Sequence, residues 1–254
     1  MAIVQRGKRV SAAPGRNLAV GNVRAYPPAS HARVEAELWS VPNARLFTDT
    51  FYRRLGKRAF DLVFGAALIV ALLPLMLATA LVVLLTSGWP VLYRAERLGR
   101  HGQPFRMLKF RTMVRGADEA LPALLLSDGA LAEEYGHGLK LRDDPRTTRL
   151  GALLRRFSID ELPQLWHVIT GEMSLVGPRP YAATEVEMAL IAPHPEILEP
   201  APALTGPWQV EGRNDLTPAE RIARDTEYAG ACSFLGDVAY LLATVKCLVY
   251  ANGR

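Results

Sequence analysis

The chain has 254 residues, of which 30 are Lys or Arg and 25 are Asp or Glu, so its formal net charge is +5 at pH 7. This length suits one large domain or one domain with a tail. The positive charge favours anionic partners such as nucleic acid, phosphorylated small molecules or acidic lipid headgroups. Only two cysteines occur, Cys232 and Cys247, without Cys-x-x-Cys spacing. A structural zinc site is therefore not expected, and a reduced, cytosol-facing environment is.

The first 54 residues predict a disordered, basic tail. Arg and Lys residues are mixed with four prolines between Pro14 and Pro42, and no apolar periodicity persists. The opening segment MAIVQRGKRV is not expected to be a secretory signal, because no apolar core of sufficient length follows it. Such a composition buries too little apolar surface to stabilise a fold.

Residues 55–93 predict a membrane-embedded helix rather than a helix buried in a soluble core. From Leu62 to Tyr93 the chain has no charged residue in 32 positions, whereas a membrane helix needs only about 20 apolar residues. Pro74 lies in the middle of this run, where proline removes a backbone donor and kinks or breaks a helix. The two arms, of about 12 and 15 residues, would each reach ~18–22 Å, which is less than the ~30 Å of the hydrocarbon core.

Basic residues on both flanks of the apolar run predict on which side of the membrane the two helix ends lie. Four precede the run and four follow it: Arg53, Arg54, Lys57, Arg58, Arg94, Arg97, Arg100 and Arg106. Because basic flanks stay on the cytoplasmic side, both ends are expected there. The prediction is a re-entrant helix that enters the bilayer, bends at Pro74 and leaves through the same face. A straight or gently kinked span is the alternative.

Residues 94–254 predict a cytosolic domain that is mainly helical with short strands, so the fold class is α+β. The segment PFRMLKFRTM (104–113) predicts a strand, and residues 117–136 predict a helix that is broken near Asp128-Gly129. TPAERIARDTEYA (217–229) has the capping box and early proline of a helix start. Apolar residues at helical spacing in 234–251 predict a helix that lies either at the membrane interface or in the core.

Two adjacent carboxylates, Asp160 and Glu161, stand in the motif FSIDELPQLW at the start of a predicted helix. Pro163 favours a helix that begins at Asp160, or an irregular first turn, over a helix capped by Ser158. If the helix begins at Asp160, the N–H that Pro163 lacks would have had no intrahelical partner. The pair could simply complement the positive end of the helix dipole. Alternatively, one carboxylate attacks a substrate and the other holds a cation, while Arg155, about one turn upstream, binds phosphate.

Further basic residues are candidates for phosphate binding. Lys109 and Arg111 lie two apart in KFRTM, so a strand would place them on one face; an ordinary exposed pair is the alternative. Arg179 lies between two prolines in GPRP, a restricted backbone that suits an arginine aimed at an anion, although a plain turn explains it equally. The motif WQVEGRND, with Gln209 and Arg213, weakly indicates nucleotide or sugar recognition.

In this order, six stretches of the sequence resemble the bacterial sugar transferases, or monotopic phosphoglycosyl transferases, which start exopolysaccharide and O-antigen synthesis. They are KRAFD, the proline-interrupted apolar run, ERLGRHGQPFRMLKFRTM, DDPRTTRLGALLRRFSIDELPQL, GEMSLVGPRP and LTGPWQVEGRND. The resemblance covers about residues 55–250. It implies transfer of galactose-1-phosphate or glucose-1-phosphate from a UDP-hexose to undecaprenyl phosphate.

The resemblance also implies roles for individual residues. Asp160 would attack the sugar-bearing phosphate of the UDP-sugar, release UMP and carry the phosphosugar until undecaprenyl phosphate takes it. Glu161 would hold Mg²⁺, which neutralises the diphosphate. Four basic residues would bind phosphate, namely Lys109, Arg111, Arg155 and Arg179. Gln209 and Arg213 would contact the nucleotide or the sugar.

By the same resemblance the enzyme is placed in the bacterial inner membrane, with its catalytic domain on the cytoplasmic face. Its partners would be downstream glycosyltransferases and, as an option, a second copy of the chain, whereas nucleic acid is not expected. A non-catalytic membrane adaptor is the rival hypothesis, against which the intact Asp160-Glu161 pair argues. The chain departs from the family pattern at Leu73, where many relatives have Ser, which leaves the hydrogen bonding at the bend open. It also departs at Pro207 and Glu211, which leaves the identity of the sugar open.

Overall fold

The first described element is a long apolar helix. In the computed structural model, which describes residues 51–138, 141–182, 184–212 and 216–250, a π-helical turn at Tyr52–Gly56 leads into helix α1, Lys57–Ser87. Helix α1 continues through Pro74, so the predicted break is not confirmed; a helix can continue past a proline at the loss of one hydrogen bond. Most of the predicted tail, residues 1–50, lies outside the described residues.

One face of α1 packs against the rest of the protein along its whole length. Near its start Phe60 and Asp61 are buried, and near its end Val83 is fully buried beside Phe110 and Leu154. Between them, half-buried residues complete the contact: Leu68, Ile69, Leu72, Met76 and Ala80. The opposite face is apolar and exposed, with these residues uncovered: Val63, Val70, Leu77, Leu81 and Leu85. The helix therefore lies alongside the domain rather than projecting from it.

Of the described residues, the segment Tyr52–Ser87 is the one helix that is long and apolar enough to cross a membrane. Only 11% of its most apolar 18-residue window is buried inside the protein. The core helix of a water-soluble protein would be mostly covered, because exposed apolar surface on this scale is unfavourable in water. The uncovered face therefore fits a lipid environment.

A β-hairpin follows α1. Strands β1 (Leu92–Leu98) and β2 (Pro104–Phe110) pair antiparallel, with Tyr93 opposite Lys109 and Arg97 opposite Phe105. The prediction of a strand in 104–113 is confirmed for β2. Strand β1 was not predicted, because its first residues continue the apolar run of the membrane segment.

The remaining elements are short apart from the last two helices. They are α2 (Ala117–Ser127), α3 (Gly129–Gly138), α4 (Arg149–Arg156), a 3₁₀ segment (Ile159–Gln164), α5 (Leu165–Thr170), β3 (Ser174–Val176), α6 (Glu185–Ile191), a 3₁₀ turn (Pro195–Leu198), β4 (Ala203–Thr205), α7 (Pro207–Val210), α8 (Pro218–Ala231) and α9 (Phe234–Tyr250). Strands β3 and β4 pair in parallel. The predicted helix break near Asp128-Gly129 and the capping box of Thr217 and Glu220 are confirmed. The described residues are mainly helical with short strands, as predicted.

A buried polar network joins the base of α1 to α9. The Lys57 ammonium donates to Asp237 Oδ2 at 2.6 Å and to the Val176 carbonyl at 2.9 Å. The Tyr52 and Tyr228 hydroxyls donate to the same carboxylate at 2.6 and 2.7 Å. Asp237 is fully buried, so these partners replace the water it has lost. One side of α9 thus packs in the core, while Leu235, Leu242 and Val245 are exposed on the other.

Candidate active site

Asp160 and Glu161 lie on the 3₁₀ segment that links α4 to α5. Ser158 has a left-handed backbone (φ 55°) and makes no side-chain cap. The α-helix begins only at Leu165, after Pro163. This is the irregular first turn that Pro163 predicted, because proline cannot supply the backbone N–H that a regular helix needs. The tight turn directs the two adjacent carboxylates into different surroundings.

Asp160 is buried, and its surroundings raise its pKa. The side chain is 6% exposed. Burial raises the pKa of Asp160 to about 6, the neighbouring charge of Glu161 adds to the increase, and the charges of Lys109 and Arg155 oppose it. At neutral pH Asp160 is therefore an ionised but poorly solvated carboxylate, which is the state expected of a nucleophile.

Two basic residues flank the carboxylate pair. The Lys109 ammonium, on β2, donates to Glu161 Oε1 at 2.7 Å, and both side chains are about one quarter exposed. Arg155, at the end of α4, donates through Nε to Thr112 Oγ1 at 2.9 Å and through Nη1 to Thr147 Oγ1 at 3.3 Å. Because both threonines are neutral, they orient the guanidinium without neutralising it. Its charge remains available to a phosphate.

An open cleft adjoins these residues. It is lined by Arg97, Met107, Lys109, Glu161, Gln164, Arg179, Pro180, Ala203, Leu204, Trp208 and Gln209. The Arg179 guanidinium carbon lies 5.0 Å from the centre of the Trp208 ring. Cationic groups and an aromatic ring therefore line the cleft together, a combination suited to a phosphorylated ligand.

A buried carboxylate fixes the Gly-Pro-Arg-Pro turn from behind. Asp225, on α8, is fully buried and accepts from the Arg179 backbone N–H at 3.0 Å and the Tyr181 hydroxyl at 2.8 Å. Burial raises the pKa of Asp225 to about 6, although these hydrogen bonds and nearby arginines oppose the increase. The turn is thus anchored through its backbone, which leaves the Arg179 side chain to face the cleft.

The structure brings most of the sequence-predicted site residues together. Lys109, Glu161, Arg179 and Gln209 line the cleft. Asp160 directly precedes Glu161 in the 3₁₀ segment, and the charge of Arg155 lowers its pKa.

One predicted residue, Arg111, is placed differently, and one is not described. Arg111 is 7% exposed and does not line the cleft; its guanidinium donates to the carbonyls of Ser87 and Gly88 at the end of α1. It binds the carbonyls that a helix end leaves without intrahelical partners. Arg213 lies outside the described residues, so its predicted contact with the nucleotide or sugar stays a prediction.

Three cleft residues were not singled out from the sequence: Arg97, Gln164 and Trp208. Arg97 was counted only as a basic flank of the membrane segment. The signal for its role is the hairpin register, in which Arg97 pairs with Phe105 and Tyr93 pairs with Lys109. Since residues two apart in a strand share a face, this register places Arg97 and Lys109 on the same face of the hairpin.

The carboxylate pair fits a magnesium ion that is held together with a substrate. Among the described residues, no group of three or more His, Cys, Asp or Glu side chains is placed to hold a metal ion. Magnesium, however, is commonly bound by one or two carboxylates together with substrate phosphates and water. Glu161 is 28% exposed and shares only Oε1 with Lys109, so Oε2 is placed to serve as such a ligand.

The raised pKa of Asp160 predicts a pH-dependent gain in stability on Asp160→Asn. In the unfolded chain this carboxyl titrates near 3.8, whereas burial raises its pKa to about 6 in the folded protein. The cost of ionising it in the fold is therefore complete above pH 6 and absent below about pH 4. Without divalent cations, we expect Asp160→Asn to stabilise the protein by about 1–3 kcal/mol at pH 7.5, and this gain to fade towards pH 4.

Thermal unfolding in detergent, followed from pH 4 to pH 8, measures this effect. Asp143→Asn, which removes an exposed carboxylate from the loop before α4, is the matched control and should show no such gain. An Asp160→Asn protein that is less stable than the wild type at pH 7.5 would contradict the burial cost.

The chain belongs to the bacterial sugar transferase family, whose profile matches residues 52–251. It is 41% identical over 199 residues to the exopolysaccharide production protein ExoY of Sinorhizobium fredii, an alignment that covers 78% of this chain and 88% of that protein. By this membership the chain is an enzyme, a phosphoglycosyl transferase of polysaccharide synthesis. The family resemblance drawn from the sequence motifs is thus confirmed.

Two further relatives have names that state a reaction. The chain is 39% identical over 202 residues to the UDP-glucose:undecaprenyl-phosphate glucose-1-phosphate transferase of Caulobacter vibrioides, which covers 77% of this chain and 70% of that protein. It is 40% identical over 200 residues to the UDP-galactose-lipid carrier transferase of Erwinia amylovora. That alignment covers 79% of this chain but 42% of the Erwinia protein, so the chain spans less than half of this longer relative.

Proposed function

We propose that this enzyme transfers a hexose-1-phosphate, from UDP-galactose or UDP-glucose, to undecaprenyl phosphate and releases UMP. The product would be the lipid-linked sugar that downstream glycosyltransferases extend into exopolysaccharide, capsule or O-antigen. The names of the relatives support these substrates. The structural observation that carries the proposal is the buried carboxylate of Asp160, whose pKa the charges of Lys109 and Arg155 lower, directly before Glu161 in the lining of a cationic cleft.

The proposed chemistry is two displacements at one phosphorus. An oxygen of Asp160 bonds to the sugar-bearing phosphorus, and the bond from that phosphorus to the bridging oxygen breaks, so UMP leaves with the electron pair. This leaves an acyl phosphate that joins Asp160 to the sugar. A phosphate oxygen of undecaprenyl phosphate then attacks the same phosphorus and restores the free carboxylate. Covalent catalysis thus divides one difficult transfer into two easier ones.

The basic residues serve to bring a carboxylate and a diphosphate together despite their like charges. Arg155 and Lys109 lie close enough to oppose the raised pKa of Asp160, and both can donate to the oxygens of the phosphate under attack. Mg²⁺, held by Glu161 together with the diphosphate, would supply further neutralisation of phosphate charge when bound. Arg179 would bind phosphate from the opposite wall of the cleft.

We also propose that α1 dips into the cytoplasmic leaflet of the inner membrane without crossing it. Near the start of α1, Arg58 donates to the carbonyls of Val168 and Ile169. At the end of α1, Arg111 donates to Ser87 and Gly88. Both ends are thus fastened to one polar domain, and a crossing helix would place part of that domain in hydrocarbon, where polar groups lack partners. This argument from the two helix ends holds whether or not α1 is broken at Pro74.

The same contacts support a fixed depth for the active site. Arg111 directly follows β2 and lies two residues from Lys109, so the strand that carries Lys109 is fastened to the end of the membrane helix. The acceptor's phosphate lies at the headgroup level, because its polyprenyl chain stays in the bilayer. An enzyme anchored in one leaflet would hold its carboxylate at that depth.

The substrate proposal is tested with purified enzyme, Mg²⁺, undecaprenyl phosphate and a panel of UDP-sugars, with UMP release as the measurement. We expect release with UDP-galactose or UDP-glucose and none with Asp160→Asn. Activity restricted to UDP-N-acetylated sugars would contradict the hexose assignment. An active wild type whose Asp160→Asn variant is equally active would contradict the catalytic role of this residue.

Cysteine labelling tests the topology. Arg54→Cys and Arg94→Cys place exposed thiols at the two flanks of α1, in a background that carries Cys232→Ala and Cys247→Ser. With a membrane-impermeant maleimide, we expect neither thiol to react in intact spheroplasts and both to react in inverted vesicles. Labelling of either thiol from the periplasmic side would show that α1 crosses the membrane.

A further inference from the structure

A second group of basic residues lies beyond the reacting end of the cleft. We call Arg97, Arg179 and Arg221 the arginine cluster; Arg97 and Arg179 line the cleft, and Arg179 and Arg221 lie over the ring of Trp208. Along the hairpin Arg97 lies opposite Phe105, four residues from Lys109. This corresponds to about 13 Å between backbone positions at ~3.3 Å per residue. The charges that act on Asp160 come from Lys109 and Arg155, so the cluster is a separate basic region of the same site.

Arg97 faces the cleft without a carboxylate partner. It lines the cleft and is half-buried, and its guanidinium donates to the Glu96 carbonyl at 2.8 Å. It makes no ion pair within 4 Å with any described residue. Burial lowers the pKa of Arg97 and the charge of Arg179 lowers it further, while Glu187 opposes the shift. A guanidinium in such a position is stabilised by an incoming anion.

Trp208 holds the other two arginines near one another. The guanidinium carbons of Arg179 and Arg221 lie 5.0 and 5.9 Å from the centre of its ring. Stacking of a guanidinium on an aromatic ring leaves the N–H groups at its edge available for hydrogen bonds. Arg221 Nε is buried and has no hydrogen-bond partner among the described residues.

The carboxylates nearest the cluster already have other hydrogen-bond partners. Glu187 accepts from the Ala182 backbone N–H. Asp225 accepts from the Arg179 backbone N–H and the Tyr181 hydroxyl, and burial raises its pKa to about 6. Asp118 acts on Arg97 more weakly than Glu187 does. Among the described residues, none of these carboxylates forms an ion pair within 4 Å with an arginine of the cluster, so the guanidinium groups can contact an incoming anion directly.

We propose that Arg97, together with Arg179, binds the phosphate that departs with the nucleotide. This inference rests on the proposed function, in which Asp160 attacks the sugar-bearing phosphate. When the bond to the bridging oxygen breaks, that oxygen keeps the electron pair and becomes part of the nucleoside monophosphate, whose charge increases. The arginine cluster receives this charge, so Arg97 is a binding residue for the donor nucleotide and for the leaving UMP.

Arg97→Gln tests this assignment, and Arg106→Gln is its matched control. Arg106 lies on the opposite, exposed face of the same hairpin, so its replacement removes the same charge outside the cleft. For Arg97→Gln we expect UMP to bind and inhibit on the order of 10- to 100-fold more weakly, as for the loss of a charge-assisted hydrogen bond. The KM for the UDP-sugar should rise similarly. Arg106→Gln should match the wild type within about twofold.

A direct UMP-binding measurement separates failure of this inference from failure of the proposed function. If the wild type binds UMP and Arg97→Gln binds it equally well, the assignment of Arg97 is wrong, whatever the turnover. If the wild type releases no UMP from any UDP-sugar, the proposed function is wrong. Arg97→Lys keeps the charge without the planar fork and should recover part of the UMP affinity. A variant that lost kcat while keeping the UMP affinity would indicate a structural role and overturn the proposal.

Discussion

Asp160→Asn is expected to lower the transfer rate by at least about 10⁴-fold, which is the scale seen when a catalytic nucleophile is removed. Asparagine has almost the same shape, but its amide is not a nucleophile for phosphorus. Because the substitution removes a poorly solvated charge, the fold should be stabilised, so the loss would be chemical rather than structural. Steady-state UMP release, with the thermal unfolding described above, measures both effects.

Two further variants show whether the loss of activity is specific to Asp160. Glu161→Gln keeps the attacking carboxylate and removes the proposed Mg²⁺ ligand, so we expect a smaller loss that depends on Mg²⁺ concentration. Asp143→Asn changes an exposed carboxylate away from the cleft and should be fully active. An Asp160→Asn enzyme with more than a few per cent of wild-type activity would exclude attack by this residue.

Lys109→Met is expected to lower kcat/KM by about 10²–10³-fold, the range for losing one preorganised donor to a developing charge. The Lys109 ammonium contacts Glu161 Oε1 at 2.7 Å and lowers the pKa of Asp160. Without the ammonium, the pKa of Asp160 should rise further. As the pH is lowered, the activity of the variant should therefore begin to fall at a higher pH than that of the wild type. The pH profile of UMP release distinguishes this effect from simple loss of packing.

Arg106→Met is the control for Lys109→Met, because Arg106 lies on the same strand with its side chain on the opposite face. It should leave both the rate and the pH profile unchanged. Equal losses of activity in the two variants would mean that activity depends on the total positive charge of the hairpin and not on Lys109 itself. An unchanged pH profile in Lys109→Met would contradict the electrostatic coupling between Lys109 and Asp160.

The local structure around the acidic pair was predictable because its cause is local. Pro163 forbids a regular first turn, and the 3₁₀ segment from Ile159 to Gln164 follows from that. Strand β1 was not predictable by the same reasoning, since Leu92 and Tyr93 extend an apolar run and only pairing with β2 makes them a strand. The continuity of α1 through Pro74 also depends on tertiary context: the domain packs along the helix on both sides of the proline.

The site residues likewise fall into those that the sequence predicts and those that only the fold reveals. Adjacent carboxylates and a proline-flanked arginine are visible in the sequence, and Asp160, Glu161 and Arg179 were found from it. Strand alternation predicted Arg111 on the same face as Lys109, but Arg111 does not line the cleft with Lys109. The unsatisfied carbonyls at the end of α1 bind it instead. The position of Arg97 in the cleft can be inferred only from the hairpin register, because the sequence assigns Arg97 and Lys109 to different segments.

Trapping of the covalent intermediate tests the account most directly. Enzyme incubated with Mg²⁺ and a radiolabelled UDP-hexose, without undecaprenyl phosphate, is quenched and its peptides are mapped by mass spectrometry. We predict a hexose phosphate on the peptide that contains Asp160, formed together with a burst of UMP, absent in Asp160→Asn and discharged when undecaprenyl phosphate is added. Normal turnover on addition of the acceptor, with no adduct on the protein beforehand, would contradict a nucleophilic Asp160.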